Sequence, residues 1–201
     1  NDNDTAELVF DQATSSVNEA VAGSMHNVVV TLLVTANGTA NSGTLGSDIT
    51  VQVDDLQTGD ATRGVDYTSD ADPQTLTFTS ASVSGDASQN YTLNITNDGD
   101  QESNEVINLA LINASALATI DAARDEHTVT IIDDDTPSIS VAPVAGNTSV
   151  NENSGTDLIY RFTRDGDAST PLTVNFSISG LAGSGDFTVD DSPTEVTFAG
   201  T

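Results

Sequence analysis

Short runs of alternating apolar and polar residues recur along the chain and limit its fold more than any other feature. The runs are rich in β-branched residues and are bounded by Gly, Asn, Asp or Ser; they are Asn27–Val34, Asp48–Val53, Gln74–Phe78, Tyr91–Ile95, Val106–Leu111 and Thr128–Ile132. Successive side chains of a strand point to opposite faces, so a period of two is typical of strands with one buried face. The pattern predicts an all-β protein built as an antiparallel β-sandwich. The alanine-rich stretch Ala114–Ala123 has no apolar stripe, and we expect a loop there with at most a turn of helix.

Matching segments occur in the same order in two parts of the chain, which indicates tandem domains. The matched pairs are Asp4–Phe10 with Asp135–Val141, Ser16–Glu19 with Ser149–Glu152, Asp66–Thr68 with Asp186–Thr188, and Leu76–Phe78 with Val196–Phe198. The offset falls from 133 to 120 between the second and third pairs, which predicts a 13-residue insertion in the first copy. The polar stretches 37–47 and 55–60 are its expected places.

The repeat predicts three parts. Residues 1–4 are the end of a preceding repeat or a linker, residues 5–135 a first sandwich, and residues 136–201 the N-terminal half of a second. The second copy has no counterparts of Tyr91–Ile132, so it lacks about three strands and would expose sheet edges and an apolar face. Either further residues of the same polypeptide or strands from another chain complete it. We favour the first, because tandem domains are common and strand donation is not.

The composition is strongly acidic and leaves few kinds of ligand open. The formal charge is −27, from 31 acidic residues against four arginines, and lysine is absent. The negative electrostatic field of such a chain disfavours nucleic acids and anionic membranes as partners, and it makes divalent cations the natural counterions. The lack of cysteine excludes disulfides, thiolate metal sites and cysteine nucleophiles. No run approaches the roughly 18 apolar residues of a membrane span, so we expect no membrane insertion in this segment.

Three adjacent carboxylates, Asp133, Asp134 and Asp135, follow the last predicted strand of the first copy, and the chain opens on the similar Asn1–Asp4. Adjacent like charges repel one another, so either water solvates them or a hard divalent cation collects them. Solvated loop acids are the simpler alternative in so acidic a chain. The position at the end of a strand favours a calcium joint between repeated domains.

Other residues give little sign of chemistry. The two histidines, His26 and His127, are far apart in sequence, lack metalloprotease spacing, and are interpreted as surface or strand-edge residues. No serine lies in a nucleophile motif, and there is no tryptophan for a carbohydrate platform. We therefore predict that the protein is not an enzyme.

Four segments in order resemble the Calx-β domains, first described in sodium–calcium exchangers and abundant in bacterial surface proteins. They are Ser16–Glu19, Gly64–Tyr67, the acidic loop Asn97–Glu105, and Ile131–Asp135. The resemblance covers the first domain and the first half of the second. It implies tandem immunoglobulin-like antiparallel sandwiches of the Calx-β type, the second incomplete, with Ca²⁺ bound where the chain leaves one sandwich for the next.

The resemblance also implies a set of calcium ligands. Carried over by motif, they are Glu19, Asp66, Asp98, the backbone carbonyl of Asp100, Glu102, Glu105, Asp133, Asp134 and Asp135. Asn97 departs from the pattern, because calcium-binding members have an aspartate there, and this weakens or removes one site.

These features predict a calcium-binding structural repeat of a large extracellular adhesin, stalk, filament or surface-layer protein. Ca²⁺ would stiffen the joint, and the partners would be neighbouring repeats or other copies in a fibre or surface layer. The alternative is a calcium-sensing regulatory module that controls an attached domain or transporter. Submicromolar affinity for calcium would fit the sensor, and millimolar affinity the extracellular repeat.

Overall fold

The structure, a computed structural model, describes residues 4–19, 25–80, 85–99, 101–144, 148–152, 154–166, 168, 170–183, 185–189 and 194–200. Contacts divide the chain into two compact units. Unit 1 comprises Asn1–Gly99 and Ser103–Asp134, and unit 2 comprises Asp100–Glu102 and Asp135–Thr201. In the part of the chain that is described, no helix is long and apolar enough to cross a membrane.

All regular structure of any length is β. In chain order the strands are β1 (Thr5–Phe10), β2 (Thr14–Asn18), β3 (Met25–Ala36), β4 (Thr39–Ala40), β5 (Ile49–Asp55), β6 (Tyr67–Ser69), β7 (Gln74–Phe78), β8 (Ala87–Ile95), β9 (Glu105–Ile112), β10 (Thr119–Ile120), β11 (Glu126–Ile132), β12 (Ser138–Pro143), β13 (Tyr160–Asp165), β14 (Leu172–Asn175) and β15 (Glu195–Phe198).

Unit 1 is a sandwich of two sheets. One has the order β10-β1-β3-β8-β6, with β4 paired to β3, and the other has the order β2-β11-β9-β5-β7. Most neighbours are antiparallel, but β2 runs parallel to β11 and β10 parallel to β1. The expected fold class, an all-β, immunoglobulin-like antiparallel sandwich, is confirmed.

The core of unit 1 lies between the sheets and follows the alternation seen in the sequence. β5 alternates buried and half-buried residues along its whole length, which places Ile49, Val51 and Val53 inside. The largest buried side chains come from both sheets and include Phe10, Tyr67, Phe78, Tyr91, Leu93, Ile107 and Leu109. Burial of this apolar surface, worth about 25 cal/mol per Å², holds the two sheets together without a disulfide.

Asp55 is a charged residue that is buried beside this core. Asp55, at the end of β5, is 5% exposed and accepts a hydrogen bond from the hydroxyl of Tyr67. Burial, followed by this hydrogen bond, raises the pKa of the Tyr67 hydroxyl above its usual value of 10. Nearby, Arg63 forms an ion pair with Asp72 at 2.6 Å. These contacts fix the loop between β5 and β6, which carries the acidic residue Asp66.

Unit 2 contains two small antiparallel sheets, β12–β13 and β14–β15. Strands β14 and β15 alternate half-buried with exposed residues, whereas β5 in unit 1 alternates buried with half-buried ones. None of the fully buried apolar residues of the described chain belongs to unit 2, whereas many exposed ones do, among them Val141, Ile159, Tyr160, Ile178 and Leu181.

The six predicted strands all occur, with ends that differ by up to four residues. Residues 114–123 form a loop with a turn, as expected, but they also contain the two-residue strand β10. Beyond Ala36, the chain turns through Asn37 and Gly38, both with positive φ (52° and 76°), to start β4. Two positive φ values in succession are typical of the type I′ hairpin turn, which Asn-Gly favours.

Candidate metal centre

Hydrogen bonds bring acidic segments together at one end of unit 1. The backbone N–H of Glu19 donates to the carbonyl of Ile132 at 3.2 Å, so Glu19 lies beside the start of the acidic run. The N–H of Asp133 donates to the Oδ1 of Asn104 at 3.2 Å. These bonds join the ends of β2 and β11 to the residues that precede β9.

A second set of bonds places the loop before β6 at this end. The N–H of Thr96 donates to the carbonyl of Asp66 at 2.8 Å, beside the loop that carries Asp98. A turn closed by the bond from the Gly64 N–H to the Tyr67 carbonyl, 2.8 Å, presents Asp66. Gly64 has a φ of 87°, a left-handed conformation that glycine adopts without strain.

The carboxylates of unit 1 form two close pairs. One oxygen of Glu19 lies within 4.8 Å of one oxygen of Asp98, and the same limit holds for Asp66 and Glu105. Glu19 is 8% exposed, Asp66 and Glu105 are half-buried, and Asp98 is exposed. One oxygen of Asp66 already takes part in a hydrogen bond, because its Oδ2 accepts from the Thr62 N–H at 2.6 Å.

The remaining predicted ligands are placed differently. Asp133 is half-buried and Asp134 exposed, and within the described residues neither belongs to a group of three closely spaced carboxylates. Glu102 and Asp135 belong to unit 2, each one peptide bond from unit 1. Asp100, and Asn1–Asn3 of the opening acidic segment, lie outside the described residues. Asn97 is exposed in the loop that follows β8.

Sequence reasoning missed Asn104. It lies in the acidic loop, one residue before Glu105, and its side-chain oxygen already holds the backbone of Asp133. Its place inside the acidic loop could have indicated a role at the site, but a neutral amide is not itself a strong calcium ligand, and its positioning role depends on a contact with Asp133 that the sequence does not show.

The chemistry of these donors fits a hard cation. The two pairs offer only carboxylate oxygens, which suit calcium or magnesium, and no sulfur or imidazole.

Both histidines were interpreted as surface or strand-edge residues, and this was wrong for His127, which is buried. His127 is 4% exposed and lies in β11, between β2 and β9, while His26 is half-buried near the start of β3 and pairs with Leu93 of β8. The Ser15 Oγ is 2.8 Å from the Nε2 of His26 and 2.7 Å from the Nε2 of His127. The parallel pairing of β2 with β11 causes this meeting of residues more than 100 positions apart, which local sequence patterns do not reveal.

The arrangement around the histidines suits their neutral forms. Burial lowers the pKa of His127, although its contact with the Gln12 carbonyl acts in the other direction. Burial and the neighbouring His127 lower the pKa of His26. The Nδ1–H of His127 donates a hydrogen bond to the carbonyl oxygen of Gln12 at 2.6 Å, which leaves Nε2 to accept one from the Ser15 hydroxyl.

Among the known proteins compared with this chain, only solved structures are similar to it. No protein-family model matches the chain, and no curated protein matches it. The apo-form Calx CBD1 domain aligns with a TM-score of 0.49 and 21% identity, over 65% of this chain and 99% of that one. CBD12 from CALX1.2 aligns at 0.48 and 15% identity, over 96% and 71%. The calcium binding domain CBD12 of CALX1.1 aligns at 0.47 and 18% identity, over the same shares.

Proposed function

We propose that unit 1 is a calcium-binding module. The observation that carries the proposal is the pairing of Glu19 with Asp98 and of Asp66 with Glu105 at one end of the sandwich. Four carboxylates from distant parts of the sequence repel one another there, and a divalent cation would turn that repulsion into attraction. Ca²⁺ takes six to eight oxygens in a flexible geometry, which side chains from several loops can supply.

Further ligands would come from residues adjoining the pairs in sequence. Glu102 precedes Ser103 of unit 1, and Asp135 follows Asp134, and both belong to the proposed ligand set. Asp133, Asp134 and the backbone carbonyl of Asp100 complete the proposed set. Because the ligands come from both sides of the boundary at Asp134, a bound ion would stiffen the passage from one unit to the next.

The role that fits this module best is a structural repeat of an extracellular adhesin, stalk, filament or surface-layer protein. Its partners would be neighbouring repeats and other copies in the same assembly. The tandem repeat, the excess of 31 acidic residues over four arginines, and the lack of cysteine and lysine support this role. Ca²⁺ then replaces disulfides as the stabilising link. A calcium-sensing module that regulates an attached domain is the alternative, and calcium affinity separates the two.

Calcium titration tests the binding itself. The expected result is a rise in melting temperature with Ca²⁺, since a ligand of the folded state contributes about 2.7 kcal/mol at 100 times its dissociation constant. Glu19→Gln and Glu105→Gln should each reduce this rise. Glu126→Gln is the matched control, because Glu126 is exposed at the opposite end of β11 from Ile132 and should leave the rise unchanged.

Isothermal titration calorimetry then distinguishes the two roles. Dissociation constants of about 10⁻⁴ to 10⁻³ M support the extracellular repeat, and values of about 10⁻⁷ to 10⁻⁵ M support the sensor. A melting curve that is the same in excess Ca²⁺ and in chelator would contradict calcium binding altogether.

A further inference from the structure

Ser15 lies between two histidine side chains that come from the two sheets of unit 1. Its Oγ is 2.7 Å from the Nε2 of His127 in β11 and 2.8 Å from the Nε2 of His26 in β3. His127 shares its strand face with Val129, which is buried. His26 likewise shares its strand face with the buried Val28. One imidazole nitrogen from each sheet therefore points at the same hydroxyl, on the inner side of the sandwich.

The protons of this cluster follow from its partners. The Nδ1–H of His127 is engaged by the Gln12 carbonyl, so its Nε2 accepts from the Ser15 hydroxyl. A hydroxyl has one proton to donate. Because Ser15 gives it to His127, the Nε2–H of His26 is the donor to the Ser15 oxygen. Only that one proton separates the cluster from a state in which two imidazole lone pairs face one point.

His127 already has the orientation of a metal-binding histidine. Histidines that bind metals donate their second ring N–H to a carboxylate or a backbone carbonyl, which fixes the tautomer and aims the other nitrogen at the ion. The Gln12 carbonyl has this role for His127. The buried ring of His127 also packs beside the ring of Phe10, with centroids 5.5 Å apart. These contacts hold its Nε2 toward Ser15.

The cluster is accessible to a cation from one side. His26 and Ser15 are each half-buried, in contrast to His127. Burial lowers the pKa of both histidines, so the rings are neutral at neutral pH, as metal binding requires. The net charge of −27 concentrates cations around the chain. Imidazole suits zinc, copper and nickel, whereas calcium prefers oxygen, so this chemistry differs from that of the carboxylate pairs.

We infer that His26, His127 and Ser15 form a binding site for a divalent transition-metal ion such as Zn²⁺. The two Nε2 atoms are the main ligands, the Ser15 oxygen is a weaker third, and water completes the coordination. With Zn–N bonds of about 2.0–2.1 Å, tetrahedral ligand atoms lie roughly 3.3 Å apart, so each nitrogen has to retreat from the Ser15 oxygen by about 0.5 Å. On binding, the Nε2 of His26 releases its proton and its Nδ1 takes one up, so the ring binds as neutral imidazole.

Isothermal titration calorimetry of the full chain with Zn²⁺ tests the site, at neutral pH and in excess Ca²⁺, which competes for the carboxylates. His26→Gln and His127→Gln should each weaken Zn²⁺ binding by at least about tenfold, since the loss of even an outer-shell partner costs about 10- to 100-fold. Glu126→Gln is the matched control, because Glu126 is the exposed neighbour of His127 and should leave the affinity unchanged.

A gain-of-affinity variant tests whether the two nitrogens converge on position 15. Ser15→Cys replaces the hydroxyl with a thiol, and a thiolate is a much stronger zinc ligand. Zn²⁺ should therefore bind this variant more tightly than the parent chain. Unchanged affinity would show that the ion does not lie beside residue 15.

NMR of the histidine rings identifies the coordinating atoms. Zn²⁺ should shift the Nε2 resonances of both rings and leave the Nδ1 of His127 protonated. The amide spectrum of each variant without Zn²⁺ reports whether the sandwich is folded. If His127→Gln does not fold, the half-buried His26 still provides the test.

Two results would overturn the inference. Zn²⁺ binding that both histidine variants leave unchanged assigns the ion to carboxylates. Absence of Zn²⁺ binding by the parent chain at millimolar concentration shows that the cluster serves only as a chain of hydrogen bonds between the sheets.

Discussion

Gly59 illustrates how a single small residue positions the acidic end of unit 1. A Cβ atom at this position would lie 1.9 Å from the carbonyl oxygen of Val106, which belongs to β9. That close approach is reinforced on either side, because the Val106 N–H donates to Asp60 at 2.6 Å and its carbonyl accepts from Ala61 at 3.2 Å. The loop that leads to Asp66 is thereby held against the strand that starts with Glu105.

Gly59→Ala should destabilise unit 1 by about 1–3 kcal/mol, the usual cost of an added methyl group that forces backbone to move. Urea unfolding measures the loss. Gly46→Ala is the matched control, since a Cβ there would meet nothing within 4 Å. Equal stability of the two variants would show that the loop can move without cost.

The strands of unit 1 are joined by a polar link as well as by the core. Ser15 belongs to β2, His127 to β11 and His26 to β3, so their hydrogen bonds connect the two sheets. The protons are arranged for two neutral rings, and protonating both would set two positive charges beside one hydroxyl. This element of the fold is therefore sensitive to pH.

Stability should fall on acidification below about pH 6.5, the pKa of an unperturbed histidine. Because the folded state lowers the pKa of both rings, the unfolded state binds more protons in this range, and stability rises with pH. The stability that the neutral rings contribute should be complete above pH 6.5 and should decline as the pH drops toward the lowered pKa values of the two histidines. Urea unfolding between pH 7.5 and 5.5, in chelator, measures the slope.

His127→Gln should flatten that slope, because the buried titrating ring is gone. Glu126→Gln changes the exposed neighbour and should keep it. A slope as steep in His127→Gln as in the parent protein would assign the dependence to other groups.

Local patterns predicted elements better than they predicted contacts between them. The run Gln74–Phe78 is a strand with the predicted ends, since its apolar residues alternate strictly. The short strands β2 and β10 are polar or only two residues long, and they owe their conformation to pairing with β11 and β1. The meeting of Ser15 with His26 and His127 depends on that pairing, so no local signal could reveal it.

The acidic residues also show what the sequence could predict about contacts. Glu19, Asp66, Asp98 and Glu105 stand in segments whose order pointed to a common site, and the structure brings them together in pairs. Asp133 and Asp134 lie just after the end of β11, and within the described residues neither belongs to a group of three closely spaced carboxylates.

At the scale of the whole molecule, buried apolar residues are concentrated in unit 1. All the fully buried hydrophobic side chains of the described residues lie between Leu8 and Ile131. Unit 2 has two-stranded sheets, which are marginal by themselves in water. The chain should therefore unfold in two steps rather than one.

Hydrogen exchange measures this difference directly. Amides of β3 and β9, which are paired on both edges, should exchange slowly, at rates set by global unfolding of unit 1. Amides of β13 and β14 should exchange much faster in the chain alone. Similar protection in both units would contradict the separation, and proteolysis at low enzyme concentration should cut first within unit 2.

The parallel pair β2–β11 has a consequence for tension. The chain enters unit 1 through β1 and then β2 and leaves it after β11, so tension that reaches β2 draws β2 and β11 in opposite directions along their common axis. The two strands pair from Thr14 with Thr128 to Asn18 with Ile132. The hydrogen bonds between them therefore lie across the direction of the pull. Bonds loaded in shear share the force and must break together, whereas a hairpin pulled open yields one bond at a time. Tension along this pair should therefore meet more resistance than tension that opens a hairpin.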